Sequence, residues 1–519
     1  VLRHDRVDVP TADELLVSRG YVHVVVDVRG TGSSTGVWDV FDPREQQDYS
    51  EVLQWVREQP WSNGDTALTG VSYHALAALL AAFREPAGLK AVFVMEAADN
   101  FATEIGITGG VPSLFLMPWF VVVNGLKWFP SRPPVRRYLR DRFTVPFSWF
   151  NRLIGMYIAA DHPDHYFNDY WAAKIAEIEN IRVPTFLYGA WHDLFNRSPL
   201  CIYNRLNLPP GEKQVLVDEG YHLSPGAGFG DPHAPQDIGE LRCAWFDHWV
   251  NGIPNRIEEY GPITVYRRWA GWVSYRTMPH PEAVVHRHYL SAERSGSAGH
   301  AGYDGSLRSD PPERTRRLRV PERPVRIASD STAIVSMGLA LALGRGFGRD
   351  ERNAESSALT FTTAPFASDT VLSGGLNLHL YVDTAGTDAF WSATVSNVAG
   401  DGRSSVVARG ALRSSRRGVD ETRSRYRDGE LVDAVHPLTE ATVLPVRPGA
   451  PHEIDISMNI TDAVFRTGHR LRVAIRRNDF PRYVLTPSIR RRMRRQAVLL
   501  SPDHPSYLTM EVGGSELDT

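Results

Sequence analysis

The apolar positions of this chain change their period along its length. Residues 21 to 29, YVHVVVDVR, form a β-branched run, and residues 43 to 59, PREQQDYSEVLQWVREQ, space their apolar side chains at helical intervals. Residues 65 to 72, DTALTGVS, read as a strand again, a helix is predicted to start at Ser72, and LKAVFVME (89 to 96) adds another strand. From about Ala98 to Asn180 the pattern becomes aromatic-rich and proline-broken. VPTFLYGA (183 to 190) and KQVLVDEG (213 to 220) then resume the buried-strand pattern, and CAWFDHWVNG (243 to 252) reads as a closing helix. Alternation of strand and helix predicts an α/β fold with a mainly parallel sheet, interrupted by a helical insertion.

Beyond Gly261 the helix period fades. Short alternating runs such as ITVYRRW, TVLSGGLNLHLYVD, AFWSATVSNV, SSVVARGALR, HEIDISMNI and HRLRVAIRR are separated by turn residues, which predicts a second, all-β domain of sandwich type. The stretch from 291 to 319 reads as loop. The most apolar segment, residues 109 to 129, is broken by Pro112, Pro118, Asn124 and Lys127 and does not read as a membrane span.

Composition narrows the function. With 57 Lys plus Arg against 60 Asp plus Glu, the net charge of -3 gives no pull toward nucleic acid or an anionic surface, so a small neutral substrate is expected. Cys201 and Cys243 alone cannot build a disulfide scaffold or a cysteine zinc site and read as buried thiols. The basic run 490 to 495 reads as a solvated face, and the sequons at Asn196 and Asn459 carry no weight without a secretory signal. The first residues hold no apolar signal core, which sets a cytoplasmic expectation.

The chemistry centres on GVSYHALAAL, residues 70 to 79. A strand that ends at Ser72 with a helix starting at once is the context in which Gly-x-Ser lifts a nucleophilic hydroxyl above a sheet. Gly70 and Ala75 supply small neighbours, and the helix N-terminus with the Tyr73 N–H faces a developing oxyanion. Ser72 is followed by Asp193 and then His222, each just past a predicted strand, in the Ser, acid, His order of an α/β-hydrolase. Asp99 is a rival acid and His233 a rival base. His74 is a specificity candidate, and Trp191 and His192 stand beside the acid as pocket walls.

These motifs resemble the family of bacterial cocaine esterase, X-prolyl dipeptidyl peptidase and α-amino acid ester hydrolase, the CocE/NonD hydrolases. GYVHVVVDVRGTGSSTG (20 to 36), QPWSNGDTALTGVSY (59 to 73), DHPDHYFNDYW (161 to 171), VPTFLYGAWHDLF (183 to 195) and GHRLRVAIRRNDFPRY (468 to 483) carry the resemblance in order. It implies an α/β-hydrolase core in two parts (1–97, its leading strands missing, and 181–258), a helical cap at 98–180 and a C-terminal jelly-roll domain at 259–519. It also implies Ser72, Asp193 and His222 as the triad, Tyr73 as an oxyanion donor, and Asp27 and Arg29 as braces of the loop after their strand.

The chain departs from the family at three places. His74 and Ala75 stand in Ser-Tyr-His-Ala where relatives carry Ser-Tyr-x-Gly, and DEGYHLSPG (218 to 226) replaces Gly-Pro-Trp-x-His. The Pro-Tyr that supplies a second oxyanion donor has no counterpart at VLRHD, which leaves a truncated chain, a replaced donor or a degenerate hydrolase open. His74 in place of a glutamate turns the expectation from α-amino acyl substrates toward plain esters. The cap residues Phe115, Met117, Trp119, Phe120, Trp128, Phe129, Phe147, Trp149 and Phe150 point to an apolar acyl or alcohol group. A serine esterase needing no metal or organic cofactor is the leading expectation. An acyl transferase, a peptidase or amidase, or a non-catalytic binding protein are the alternatives. Exposed sheet edges leave room for a homodimer.

Overall fold

A strand buried on both faces carries a near-continuous apolar run, which 89 to 96, 183 to 190 and 213 to 220 approach, while 65 to 72 is mostly half-buried. In the computed structural model, which describes residues 13–126, 148–159, 162–223, 237–255, 257, 260–322, 326–343 and 350–513, they lie side by side. The strands β1 (Thr66–Val71), β2 (Leu89–Met95), β3 (Thr185–Ala190) and β4 (Lys213–Asp218) pair in parallel in that order. Alternate side chains serve two cores. Val92, Val94, Leu187, Val215 and Val217 face one core, whereas Ala91, Phe93, Met95, Phe186, Tyr188 and Leu216 face the other.

The helices cover both faces. Among them are α1 (Glu14–Ser18), α2 (Pro43–Arg57), which starts with the Asp42 side chain capping the Glu45 N–H and Pro43 in the first turn, and α3 (Tyr73–Ala82). Seven of the ten residues of α3 are buried, which is why its sequence is apolar on all sides. Between β2 and β3 come α4 (Leu116–Leu126), α5 (Ser148–Ile158) and α6 (Asp169–Ala172). Next are α7 (Ser198–Arg205) and α8 (Ile238–Trp249), whose Trp245 is fully buried against Phe186.

Three expectations are corrected here. Residues 21 to 28 form no strand. They carry the right side chains, but a strand exists only through a ladder, and among the described residues none pairs with them; Val22, Val25 and Val26 are exposed and β1 is the sheet edge. The run ITVYRRW, grouped by its alternation with the all-β domain, instead supplies β5 (Ile263–Arg267), which pairs in parallel with β4 and carries the antiparallel β6 (Gly271–Tyr275). The 291 to 319 stretch holds two strands, Tyr303–Arg308 and Arg316–Arg319, paired with neighbours distant in sequence.

The C-terminal region is all-β with a large sheet. Its strand order is Ser404–Arg413, Phe390–Val398, Arg470–Arg476, Leu359–Thr362, Tyr303–Arg308, Val284–Ser291, Tyr507–Val512, Thr370–Thr384, Gln496–Leu500 and Arg316–Arg319, and His452–Phe465 pairs on Thr370–Thr384. The strands predicted in this region from 370 to 477 form at those positions. Both cysteines are free thiols. Among the described residues no helix is long and apolar enough to cross a membrane.

Candidate active site

The carboxyl ends of four adjacent strands each deliver one polar side chain to a single point. Ser72 follows β1, Asp193 follows β3 and His222 follows β4, as their positions in the sequence anticipate; Glu96 follows β2 and was not anticipated. The turn at Ser72 is tight: its backbone sits at φ 57°, ψ -119°, its N–H donates to the Met95 carbonyl, and Tyr73 opens α3 directly after it. Gly70 is required by that turn, because a Cβ there would lie 2.5 Å from the His74 carbonyl carbon.

His222 links the set. Its Nε2 lies 2.9 Å from Ser72 Oγ and its Nδ1 lies 2.5 Å from Asp193 Oδ2. Asp193 is held in turn by the Phe195 N–H, 2.6 Å from its other oxygen, and the Phe195 ring meets the imidazole edge-on with centroids 5.9 Å apart. Burial opposes an imidazolium here, but the carboxyl groups beside it, Asp193 first and Glu96 after it, hold His222 well above the usual imidazole range. Asp193 is also opposed by burial, yet its contact with His222 keeps it below the ordinary carboxyl range.

Glu96 is 1 % exposed, its Oε2 lies 2.8 Å from His222 Nδ1, and its backbone is in the left-handed region at φ 52°. Burial first, and then the charge of Asp193, push it up to about 8. Glu96, Asp193 and His222 place ligand atoms within 4.8 Å of one another, a spacing that suits a metal ion. With Nδ1–H given to Asp193 and Nε2 turned to Ser72, however, both imidazole nitrogens are already engaged, and the donor set fits a proton relay better.

The Tyr73 N–H opens α3, where helix geometry leaves the first N–H groups without an intrahelical acceptor. The Tyr73 side chain is clamped: its hydroxyl meets the buried Glu45 carboxylate, which also takes the Tyr49 hydroxyl, and it accepts from Trp38 Nε1 at 3.1 Å. Burial raises Glu45 to about 7 against those hydrogen bonds. Trp38 and Glu45 were not anticipated either; both fall in a loop and a helix whose sequence patterns signal only local structure.

Of the remaining sequence candidates, Phe115 and Phe120 are buried in the segment between β2 and β3, and the half-buried Trp119 stacks against Tyr73 with centroids 6.3 Å apart. Phe120 stacks on Trp38. His74 is exposed on the first turn of α3. Trp191 and His192 are engaged internally: Trp191 Nε1 donates to the Tyr266 carbonyl at 2.7 Å, and His192 stacks on Tyr221 and contacts Glu219 and Arg268. Asp99 pairs with Arg205 rather than with His222. Asp27 accepts from the Ser33 N–H and Arg29 pairs with Asp48, so both brace their loop. His233, Trp128, Phe129, Phe147, the side chains of Trp149 and Phe150, and the first twelve residues lie outside the described residues.

Comparison with known proteins agrees with this picture across both domains. Residues 3–224 match the model of the X-Pro dipeptidyl-peptidase S15 family, and residues 255–509 match that of the X-Pro dipeptidyl-peptidase C-terminal non-catalytic domain. The cocaine esterase of Rhodococcus sp. (strain MB1 Bresler) is 23% identical over 543 residues, covering 96% of this chain and 89% of its own. In fold, a CocE/NonD family hydrolase from Staphylococcus aureus aligns with TM-score 0.69 at 19% identity, over 94% of this chain and 79% of that one. An α-amino acid ester hydrolase aligns with TM-score 0.72 at 17% identity, over 96% and 87%.

Proposed function

Because the chain belongs to the S15 family of serine hydrolases, with CocE/NonD hydrolases as its structural neighbours, we propose that it cleaves carboxylic esters of small to medium apolar substrates through an acyl-enzyme on Ser72. The carrying observation is the continuous relay from Ser72 Oγ through His222 to Asp193, at 2.9 and 2.5 Å.

In this reading the Ser72 hydroxyl gives its proton to His222 Nε2 as Oγ attacks the ester carbonyl. The Nδ1–H to Asp193 bond fixes the tautomer that leaves Nε2 basic, and the carboxylate stabilises the imidazolium that forms. The Tyr73 N–H supports the oxyanion, held in place by the clamp on its side chain. His222 then gives its proton to the leaving alcohol, takes one from the water that attacks the acyl carbon, and returns it to Ser72 Oγ as the acyl–Oγ bond breaks and the acid leaves. Trp119, stacked on Tyr73, supports an apolar wall at the acyl side, with Phe115 and Phe120 behind it. His74, Trp191 and His192 complete the proposed surroundings, His74 from the exposed first turn of α3 and the other two as supports of the acid loop. The segments 1–97, 98–180, 181–258 and 259–519 remain the proposed division of the chain, with β5 and β6 of the last segment continuing the hydrolase sheet.

A second reading, X-Pro dipeptidyl-peptidase activity, has the family description behind it. A panel of 4-nitrophenyl esters from acetate to decanoate, run beside Gly-Pro 4-nitroanilide, separates the two. The ester reading predicts turnover that varies with chain length and little anilide cleavage; the reverse preference would replace it. A homodimer that covers the open β1 edge and a cytoplasmic setting complete this reading, and sedimentation mass tests the dimer.

A further inference from the structure

Glu96 has no use in the relay just described, yet it occupies the centre of the site. It sits on the strand between those of Ser72 and Asp193, and its own N–H donates to the Tyr188 carbonyl of β3 at 2.7 Å, so its side chain is fixed from two strands. A glutamate in the left-handed region costs about 1–2 kcal/mol, a strain that persists where the surroundings impose it. The side chain is buried, and among the described residues no donor reaches either carboxyl oxygen in hydrogen-bonding geometry. His222 Nδ1 lies 2.5 Å from Asp193, with which it hydrogen-bonds, and 2.8 Å from Glu96.

Charge counting then decides the state of the pair. While His222 is the neutral base, two carboxylates beside it would bury two uncompensated negative charges, which is prohibitive in a buried pocket. Carboxyl oxygens of Glu96 and Asp193 lie within 4.8 Å of each other, both against His222 Nδ1, and two acceptor-only groups crowd together favourably only when one carries a proton. Asp193 already receives the Phe195 N–H and Nδ1–H, so it is the better carboxylate, and the proton belongs on Glu96. The charged or titratable groups facing this carboxyl are Asp193 from the β3 loop and His222 from the β4 loop, with Ser72 across the imidazole.

We propose that Glu96 is a positioning residue of the active site: it stays protonated and donates to Asp193 while that residue serves His222, and it becomes the carboxylate partner of Nδ1–H when Asp193 cannot. The proposal rests on the Ser72 reading above. On taking over, the Glu96 O–H bond breaks, its electron pair stays on the carboxylate that now accepts Nδ1–H, and the proton goes to solvent.

The test is a double-mutant cycle on ester hydrolysis with a pH profile for each protein. Loss of the triad carboxylate lowers turnover by about 10⁴ in a serine protease. Here Asp193→Asn is expected to lose no more than about 100-fold, because Glu96 accepts Nδ1–H, and its acid limb stays high. Adding Glu96→Gln in that background should lower the rate by at least a further 50-fold and move the acid limb to lower pH, since an imidazolium without a carboxylate is less stable. A loss of about 10⁴ in Asp193→Asn alone, with no further fall and no shift of the limb in the double variant, overturns the proposal. Should the double variant fail to fold, the infrared difference between wild type and Glu96→Gln decides. A protonated-carboxyl stretch present near pH 6.5 and fading through about 8 is expected, and its absence overturns the proposal. Fluorophosphonate labelling of the wild type at Ser72 separates the two levels: without it the Ser72 reading itself fails, and with it the cycle judges Glu96 alone.

Discussion

In the proposed mechanism His222 sets the working pH. Its imidazolium is favoured against burial by the neighbouring carboxyl groups, Asp193 first, so the neutral base appears only above the ordinary imidazole range. The sign follows directly: kcat/KM falls as pH drops and His222 keeps its proton. The acid limb of a pH–rate profile is therefore expected above 6.5, and a midpoint well below that value would contradict the assignment of His222 as base. A second residue-scale prediction concerns the clamp. Tyr73→Phe removes the hydroxyl that Glu45 and Trp38 Nε1 both use, in a buried setting. The loss is expected to be about 1–3 kcal/mol of stability, read as a lower urea midpoint. It should also slow acylation, because the ring no longer holds the Tyr73 N–H. Of these residues, Ser72, Asp193 and His222 were legible in the sequence because each ends a recognisable strand in the expected order. Glu96 was not, because it closes the run LKAVFVME and reads as the strand's own end. Asp99, three residues further along, is the acid that stands out after that strand, and it pairs with Arg205.

At the scale of elements, the site depends on how closely α3 approaches β1. A Cβ at Gly70 would meet the His74 backbone at 2.5 and 2.7 Å, so the strand and the helix could keep their distance only by shifting Ser72. Gly70→Ala is expected to cost about 1–3 kcal/mol in stability and at least tenfold in ester turnover, measured by urea unfolding and initial rates. Elements buried on both faces were the legible ones. β2, β3 and β4 carry apolar residues at successive positions because two cores claim alternate side chains. Periodicity detects that claim but not the partner. Hence YVHVVVDVR reads as a strand although no neighbour pairs with it, and β5 reads as part of the all-β domain although it extends the hydrolase sheet. The strands at 303 to 308 and 316 to 319 were hidden for the opposite reason. They are rich in Arg, Ser and Gly and are stabilised by ladders to residues far along the chain.

Across the whole molecule, the all-β domain reaches the loops that carry the acid and the base. Arg197, four residues after Asp193, makes a two-oxygen contact with Asp433 at 2.9 and 2.8 Å. Arg268, buried at the end of β5, bridges Glu219 and His192 on one side and the Val406 carbonyl of the all-β domain on the other, at 2.7 Å. Burial and then the Arg268 charge keep His192 below the usual imidazole range. Truncating Arg268 leaves the Glu219 carboxylate in place without its cation. Arg268→Ala is therefore expected to cost about 3–5 kcal/mol and to lower turnover through the neighbouring acid and histidine loops. Calorimetry and ester kinetics on the same sample check both, and a fully active variant of unchanged stability would show that the domain contact does not support the site.

The central claim is that Ser72 is the activated nucleophile, and labelling reads it most directly. Intact mass after incubation with a fluorophosphonate, followed by peptide mapping, is expected to find one adduct on Ser72. The adduct should be absent from Ser72→Ala and should form much more slowly in His222→Ala. A folded wild type that forms no adduct, or forms one elsewhere, would contradict the account.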